Sequence, residues 1–443
     1  MSEAIQLARA GQRLATTVSE HPAPDRRLVA AAAMFGTTVE WYDFFIYGTA
    51  AALVFNRLFF PSFDPLVGTL ASFATFAAGM FARPVGAVVF GHFGDRIGRK
   101  KMLTFTLFLM GIPTVAIGLI PTYASLGPWA AVILVVLRIL QGVAVGGEWG
   151  GAVLMAVEHA PSGKRSFFGC LPQLGSPAGL ILATTVFSVL SVALSNEDFM
   201  SWGWRIPFLL SVILIVIGIF VREKIPESPA FTKAVNTGRK VAFPGREVVA
   251  RHFKSLLLTA GLKLPDVTVF YLITVFMLSY GVSIGIERQV ILNAVIMSAS
   301  VECFLILGFG IFADRIGQRL LGVFGGLFLA VFAFPMFWLI QTGSTLWVTL
   351  ALILGLGIGH GITWSAQASL GAAQFPVEVR YSGVSIALQI AGALAGGLTP
   401  IIATSLLAAS GNTAMISAYL AGMGLISALC VSLMRPVTVL DET

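Results

Sequence analysis

Residues 91–100 read GHFGDRIGRK, and residues 310–319 read GIFADRIGQR. Gly, Asp, Arg, Ile and Gly recur at matching places, 219 positions apart. A weaker echo pairs KRSFFGCLPQ (164–173) with RYSGVSIALQ (380–389) in the same order and at nearly the same spacing. Two ordered matches imply that the chain is a duplication of one unit, the parallel repeat on which many membrane-embedded proteins are built. Gly98 and Gly317 supply the tight backbone that joins antiparallel helices. Asp95 and Asp314 stand out beside so much positive charge. Each can pair with a neighbouring Arg or accept from the N–H groups of another helix's N-terminus. Such a contact, at a seam between the two units, would break when the units part.

The regions around these loops decide the solvent. Of the 443 residues, 57% are hydrophobic and 11% are charged, against about 25% charged in soluble proteins. Mean hydropathy is +0.88. Water could not cover that much apolar side chain with so few charges, whereas lipid needs no such cover. A spanning helix takes about 20 apolar residues. Twelve such runs are present, at 28–57, 67–91, 101–120, 126–157, 166–194, 204–222, 255–280, 289–312, 320–341, 345–372, 381–409 and 413–434. They are too long and continuous for barrel strands. The expected fold is therefore an all-α membrane protein, twelve transmembrane helices in two pseudo-symmetric six-helix bundles. Its expected segments are an N-terminal segment 1–27, bundles 28–222 and 255–435, a linker 223–254 opening near IPESP, and a tail 436–443.

Charge gives orientation. With the N-terminus placed in the cytoplasm, eighteen Lys and Arg residues fall on cytoplasmic segments, and only Arg57, Arg205 and Arg288 fall on the other side. That is the positive-inside pattern, so the net charge of +7 reports topology and does not call for nucleic acid. Both termini are expected in the cytoplasm. The polar start of the chain, with Arg9, Arg13, Arg26 and Arg27 before a long apolar run, does not read as a signal peptide. Cys170, Cys303 and Cys430 lie inside apolar runs without metal or disulfide spacing. No cofactor or metal is expected. There is no HExxH, Gly-x-Ser-x-Gly or Walker-type loop, which argues against a membrane enzyme; a channel or a sensor is a more remote alternative.

The first apolar run contains GTTVEWYDFFIYG (36–48). A carboxylate at bilayer depth costs about 2.5–3.5 kcal/mol on insertion scales, so it usually faces a cavity or a partner. Gly36, Glu40, Asp43 and Tyr47 follow one another at helical spacing and form a polar stripe, with Phe44, Phe45 and Ile46 expected on the opposite faces. Arg138 lies about 12 residues into the fourth run, about 18 Å deep at 1.5 Å per residue, near the depth of Asp43. The pair is either a proton switch or a permanent buried ion pair that only fixes helix packing; Glu40 is either functional or a structural partner for an Arg. Arg83 either snorkels or pairs with Glu148 or Glu158, in a structural or gating role. Glu148, in GGEWGG, sits where glycines let helices approach closely.

In the second unit Lys263 and Asp266 are spaced to pair locally beside Pro265. Glu302 lies mid-run. His360, Trp364 and Gln367 form a stripe, Ser382, Ser385 and Gln389 form another, and Gln173 echoes Gln389. His360 can titrate near neutral pH or merely fill space between glycines. Converging polar stripes are what a mid-membrane binding site requires. The substrate-binding candidates are Tyr47, Gln173, Lys263, Asp266, Glu302, His360, Trp364, Gln367 and Gln389. The gating candidates are Arg83, Asp95, Arg96, Arg99, Glu148, Asp314 and Arg315.

GxxxDRxGRK with its degenerate second copy resembles the major facilitator superfamily. EWYDFFIYG (40–48), RPVGAVVFGHFGDRIGRK (83–100), RILQGVAVGGEWGG (138–151) and SWGWRIPF (201–208) resemble its metabolite:proton symporter family. WYDF, ALVFNR, FGHFGDRIGRK and VRYSG are similar to shikimate transporters within it. The resemblance covers nearly the whole chain. It implies proton-coupled import of a small metabolite across a bacterial inner membrane by a monomer binding substrate, protons and lipid. It further implies that Asp43 carries the proton and that Arg138 is its switch, with Glu40 beside them. The cations within spans favour a small organic acid, shikimate-like or another carboxylate. A zwitterionic osmolyte such as proline or betaine is the rival, and the end of the chain at Thr443, soon after the twelfth run, weighs against it. Two departures are present: Gln318 stands where the first loop has Arg99, and GAAQFPVEVR (371–380) lacks the acid that relatives place two residues before Phe375.

Overall fold

The computed structural model describes residues 26–97, 99–146, 164–223, 244–376 and 379–436, with side chains over a somewhat narrower set. Twelve long helices account for most of it. They are α1 (26–58), α2 (Pro65–Ile97), α3 (Arg99–Leu119), α4 (Pro128–Gly146), α5 (165–193), α6 (Ile206–Glu223), α7 (253–283), α8 (Arg288–Ile316), α9 (Gln318–Gln341), α10 (345–372), α11 (380–410) and α12 (Ala414–Ser432). Each falls on one of the twelve apolar runs. Ten of them have the length and apolarity to cross a membrane. The other two are α1, which carries Glu40 and Asp43, and α3, whose described apolar stretch is Phe105–Leu119.

The polarity is inverted relative to a water-soluble protein. Large apolar side chains such as Phe304, Val331, Trp338 and Val192 are exposed, while Glu40, Asp43, Arg138, Lys263, Asp266, Glu302 and His360 are buried. Lipid solvates the former, and only other protein groups can solvate the latter.

The connections follow the local chemistry. Gly317 alone joins α8 to α9, with φ +96°, a conformation that glycine adopts without the Cβ penalty. Four helices contain a π-helical stretch: Ala51–Phe55 in α1, Leu272–Phe276 in α7, Ile353–His360 in α10 and Gly392–Gly397 in α11. Those in α1 and α7 lie at nearly corresponding places in the two repeats. Such stretches interrupt the regular hydrogen-bond ladder and recur at functional sites. Pro265 is accommodated inside a continuous α-helix, Phe253–Tyr271, and the irregularity falls about two turns later.

Within the first half, α2 and α4 cross at very short range. A Cβ on Gly142 would collide with the carbonyl of Gly79, and one on Gly146 with the carbonyl of Arg83. Between the halves, α5 packs on α8, α2 on α11, and α1 on the π-helical stretch of α7. The outer pairs α3–α6 and α9–α12 pack mainly within their own halves, and α9 reaches the seam at its first residue, Gln318.

Candidate functional site

Two adjacent cavities lie along the seam. The larger is walled by α1, α2, α4, α7, α10 and α11, and so by both halves. Its charged and polar lining is Glu40, Arg83, Lys263 and Gln389, and its aromatic lining is Trp41, Phe44, Tyr271 and Trp364. The smaller belongs to the first half alone and reaches Asp43, Arg138 and Gln141. Glu40, Phe44, Arg83 and Val145 line both, so they form the partition.

Asp43 and Arg138 both face the smaller cavity, but the expected direct contact is replaced by a relay. The carboxylate of Asp43 accepts from Ser211 at 2.6 Å and from Thr114 at 3.2 Å. The amide of Gln141 donates to Thr114 at 2.6 Å, and Nη1 of Arg138 donates to the Gln141 carbonyl at 3.2 Å. The donors run from guanidinium towards carboxylate as far as Thr114, whose hydroxyl also donates to the Met110 carbonyl at 2.9 Å and, with one proton, serves Asp43 and Met110 in turn. Four helices, α1, α3, α4 and α6, supply the members. The physical reason for the correction lies in the aromatic slot that holds Arg138. Its guanidinium lies 4.1 Å from the ring centre of Tyr47 and 4.6 Å from that of Phe44. Its Nε and Nη2 have no hydrogen-bond partner among the described residues.

Arg83 does not snorkel. It is buried, with its guanidinium 4.3 Å over Phe44 and 5.9 Å over Trp41. Glu148 lies outside the described residues, and so does Glu158, so no partnership of theirs is stated. Phe44, expected on the face opposite the polar stripe, instead lines both cavities, because two guanidinium groups stack on its ring.

The second half holds a denser cluster. Lys263 and Asp266 pair at 2.7 Å, as their spacing predicts. Asp266 also meets Nε2 of His360 at 2.7 Å, and Nδ1 of His360 meets Glu302. Lys263 lies 3.3 Å from Gln367 and 3.9 Å over the ring of Trp364, which itself stacks on His360. His360 therefore does more than fill space.

The substrate-binding candidates divide accordingly. Lys263, Trp364 and Gln389 line the larger cavity. Asp266 and Gln367 stand behind Lys263, and Glu302 and His360 stand behind Asp266. Tyr47 and Gln173 do not line it: Tyr47 donates to Thr75 at 2.6 Å, and Gln173 to the Gly169 carbonyl of its own helix. Trp41, Phe44 and Tyr271 were not singled out as lining residues, since aromatic side chains in an apolar run carry no sign of which face is concave.

At the end bearing the DRIG loops, Asp314 accepts from the N–H groups of Ser166 at 2.9 Å and Phe167 at 3.1 Å, capping the start of α5 across the seam. Gln318, the departure from Arg99, donates to Ser166. The side chains of Asp95, Arg96 and Arg99 lie outside the described residues. At the opposite end, Gln289 and Asn293 of α8 meet Ser188 of α5, and Arg288 meets Asn196.

A charge-lined cavity enclosed between two repeated six-helix halves defines a membrane transporter of the major facilitator fold. The proton:xylose symporter XylE shares it, with TM-score 0.72 over 92% of this chain and 96% of that one, at 17% identity. The family model for "Sugar (and other) transporter" matches residues 29–252. The shikimate transporter of Escherichia coli K12 is 40% identical over 92% of this chain and 94% of its own length. The inner membrane metabolite transport protein YhjE of the same organism is 40% identical over 93% and 96%. The proline/betaine transporter of Salmonella typhimurium is 34% identical over 91% and 83%. The chain thus belongs to the sugar (and other) transporter family. It is a multi-pass membrane transporter of small molecules, not an enzyme.

Proposed function

We propose that this transporter is a proton-coupled symporter that imports a small organic acid, shikimate-like or another carboxylate, across a bacterial inner membrane. The observation that carries the reading is the partition between the cavities. Asp43 is buried, hydrogen-bonded to hydroxyls and linked to Arg138 through Gln141, one wall away from a chamber whose cations are Arg83 and Lys263. The identity with the shikimate transporter supports the substrate class.

In the proposed cycle the carboxylate of Asp43 takes a proton from water in the smaller cavity. A guanidinium connected to the acid favours its charged form, and withdrawal of Arg138 from Gln141 favours protonation. An anion in the chamber attracts Arg83, which shares Phe44 with Arg138, so occupancy of the chamber and the position of Arg138 are mechanically linked. The bundles 28–222 and 255–435 then rock about the linker 223–254, with N- and C-termini cytoplasmic and one chain as the working unit. Asp314 and Arg315, with Asp95, Arg96, Arg99 and Glu148, act at the cytoplasmic gate.

A second reading is favoured by Glu40. An acid facing Arg83 and Lys263 across Trp41, Phe44 and Trp364 suits a zwitterion, and aromatic faces attract quaternary ammonium groups. The deciding experiment uses proteoliposomes challenged with shikimate, other carboxylates, proline or betaine. Carboxylate-dependent alkalinisation of the outer medium supports the first reading, and betaine-dependent alkalinisation supports the second. Asp43→Asn should abolish uphill accumulation and keep counterflow exchange; undiminished accumulation rejects the coupling role.

A further inference from the structure

In the first half the proposed cycle uses the buried acid Asp43. The second half contains two buried acids and an imidazole that this scheme does not use. Asp266 on α7, Glu302 on α8 and His360 on α10 are all at most 2% exposed. The imidazole is held at both nitrogens by carboxylates, Nε2 by Asp266 and Nδ1 by Glu302. Two acids beside two ring nitrogens fit the doubly protonated, positively charged ring: the contact of Nδ1 with Glu302 is a hydrogen bond, whereas that of Nε2 with Asp266 is an ion pair, neither Asp266 oxygen having a hydrogen-bond partner among the described residues. The second oxygen of Glu302 has no hydrogen-bond partner among the described residues. Charge in the cluster thus hangs on a single proton: with it, Lys263, Asp266, His360 and Glu302 balance; without it, a negative charge stays buried, which is costly.

One member of the cluster reaches the chamber. Lys263 pairs with Asp266 on one side and lines the cavity on the other, over Trp364. The remaining titratable or charged groups around it are Tyr271 on α7, Cys303 beside Glu302 on α8, and Glu40 and Arg83 across the cavity on α1 and α2. Arg83 and Glu302 occupy the same place in the repeat, each twelve residues before the Asp of its DRIG loop. The duplication has therefore diverged to a cation on one side and an acid on the other.

We propose that Asp266, His360 and Glu302 form a second proton-binding site, separate from Asp43, whose occupancy is governed by whether Lys263 is engaged from the chamber. An anion drawn to Lys263 competes with Asp266 for the ammonium. The negative charge of Asp266 then falls to the imidazolium, which holds its proton more firmly. When the anion leaves, Lys263 returns and the proton is released to water through Asp266. Ligand and proton each favour the other's binding, by the reciprocity that linkage requires. The role of that proton in transport rests on the symport reading, but its existence does not.

The test accordingly involves no transport and no ligand. Full-length protein labelled with ¹⁵N-histidine is placed in lipid nanodiscs, and its imidazole signals are followed from pH 5 to pH 10. The chain has five histidines, and His360→Gln assigns the relevant one. In the wild type, the His360 signals should pass from the doubly to the singly protonated pattern inside that window. Lys263→Met, which mimics an ammonium drawn away, should displace the changeover to higher pH by about one unit or more. Lys263→Arg should leave it near the wild-type position, and Asp266→Asn should displace it the other way. Opposite displacements by two unlike variants separate the effect from misfolding. One unchanging pattern throughout the window, or the same changeover in all the variants, overturns the proposal.

Discussion

At the scale of single residues, Gln141 has the clearest consequence. It accepts from Arg138 and donates to Thr114, which reaches Asp43. Gln141→Leu keeps the volume and removes both bonds. Leaving buried partners unsatisfied costs about 1–3 kcal/mol, so melting should fall modestly. Uptake should fall more, and its pH profile should change, because the acid and the guanidinium no longer sense each other. A variant with lowered melting but an unaltered pH profile would make Gln141 a packing residue only. Lys263→Gln should weaken carboxylate uptake by raising KM, since it removes an ammonium from the chamber wall while Gln367 and Trp364 remain. Lys263 and Asp266 were legible as a pair because an i, i+3 spacing is a local fact. The relay was not, since its members, Ser211 included, come from four helices and their meeting depends on how those helices cross.

Elements carry the next argument. The α2–α4 crossing is glycine-mediated, and a methyl group on Gly142 would land on the Gly79 carbonyl of the facing helix. Backbone cannot give way as a flexible side chain can, and overpacking of this kind costs about 1–3 kcal/mol or more. Gly142→Ala should therefore lower the melting temperature and displace Arg138, which packs over Gly79. By contrast, Gly422→Ala on α12, where an added Cβ meets nothing within 4 Å, should be neutral in the same thermal-shift assay. Gly146, the first glycine of GGEWGG, was visible in the sequence as a place of close approach, and Gly142 was not. Which helix Gly146 approaches was not visible, because a small residue advertises space without naming what fills it.

On the scale of the whole molecule, α5 and α8 touch at both ends of the seam and so tie the two halves together along this helix pair. Two backbone N–H bonds to one carboxylate hold the end with the DRIG loops. Asp314→Ala removes both and leaves the start of α5 uncapped, a loss of about 1 kcal/mol. That shift is enough to change a near-balanced equilibrium between closed and open forms about fivefold. Cys170, buried in this seam against Ser365 and Gly310, is a built-in reporter. In a Cys303→Ser, Cys430→Ser background, Asp314→Ala should speed its alkylation by a maleimide several-fold. An unchanged rate would mean that the cap does not hold the seam.

The sequence by itself determined that the chain lives in lipid, that it has twelve spanning helices, that it is a duplication, and which few polar residues sit within the spans. Those are properties of composition and of periodicity along one helix, and they do not depend on neighbours. Only the tertiary structure decided that Arg138 reaches Asp43 through Gln141 and Thr114, that Phe44 and Arg83 form a partition, and that two acids grip one imidazole. A buried polar group has no water to satisfy it, so its partners are whatever the crossing helices bring within about 3 Å. That selection is made by packing in three dimensions, which no single helix encodes.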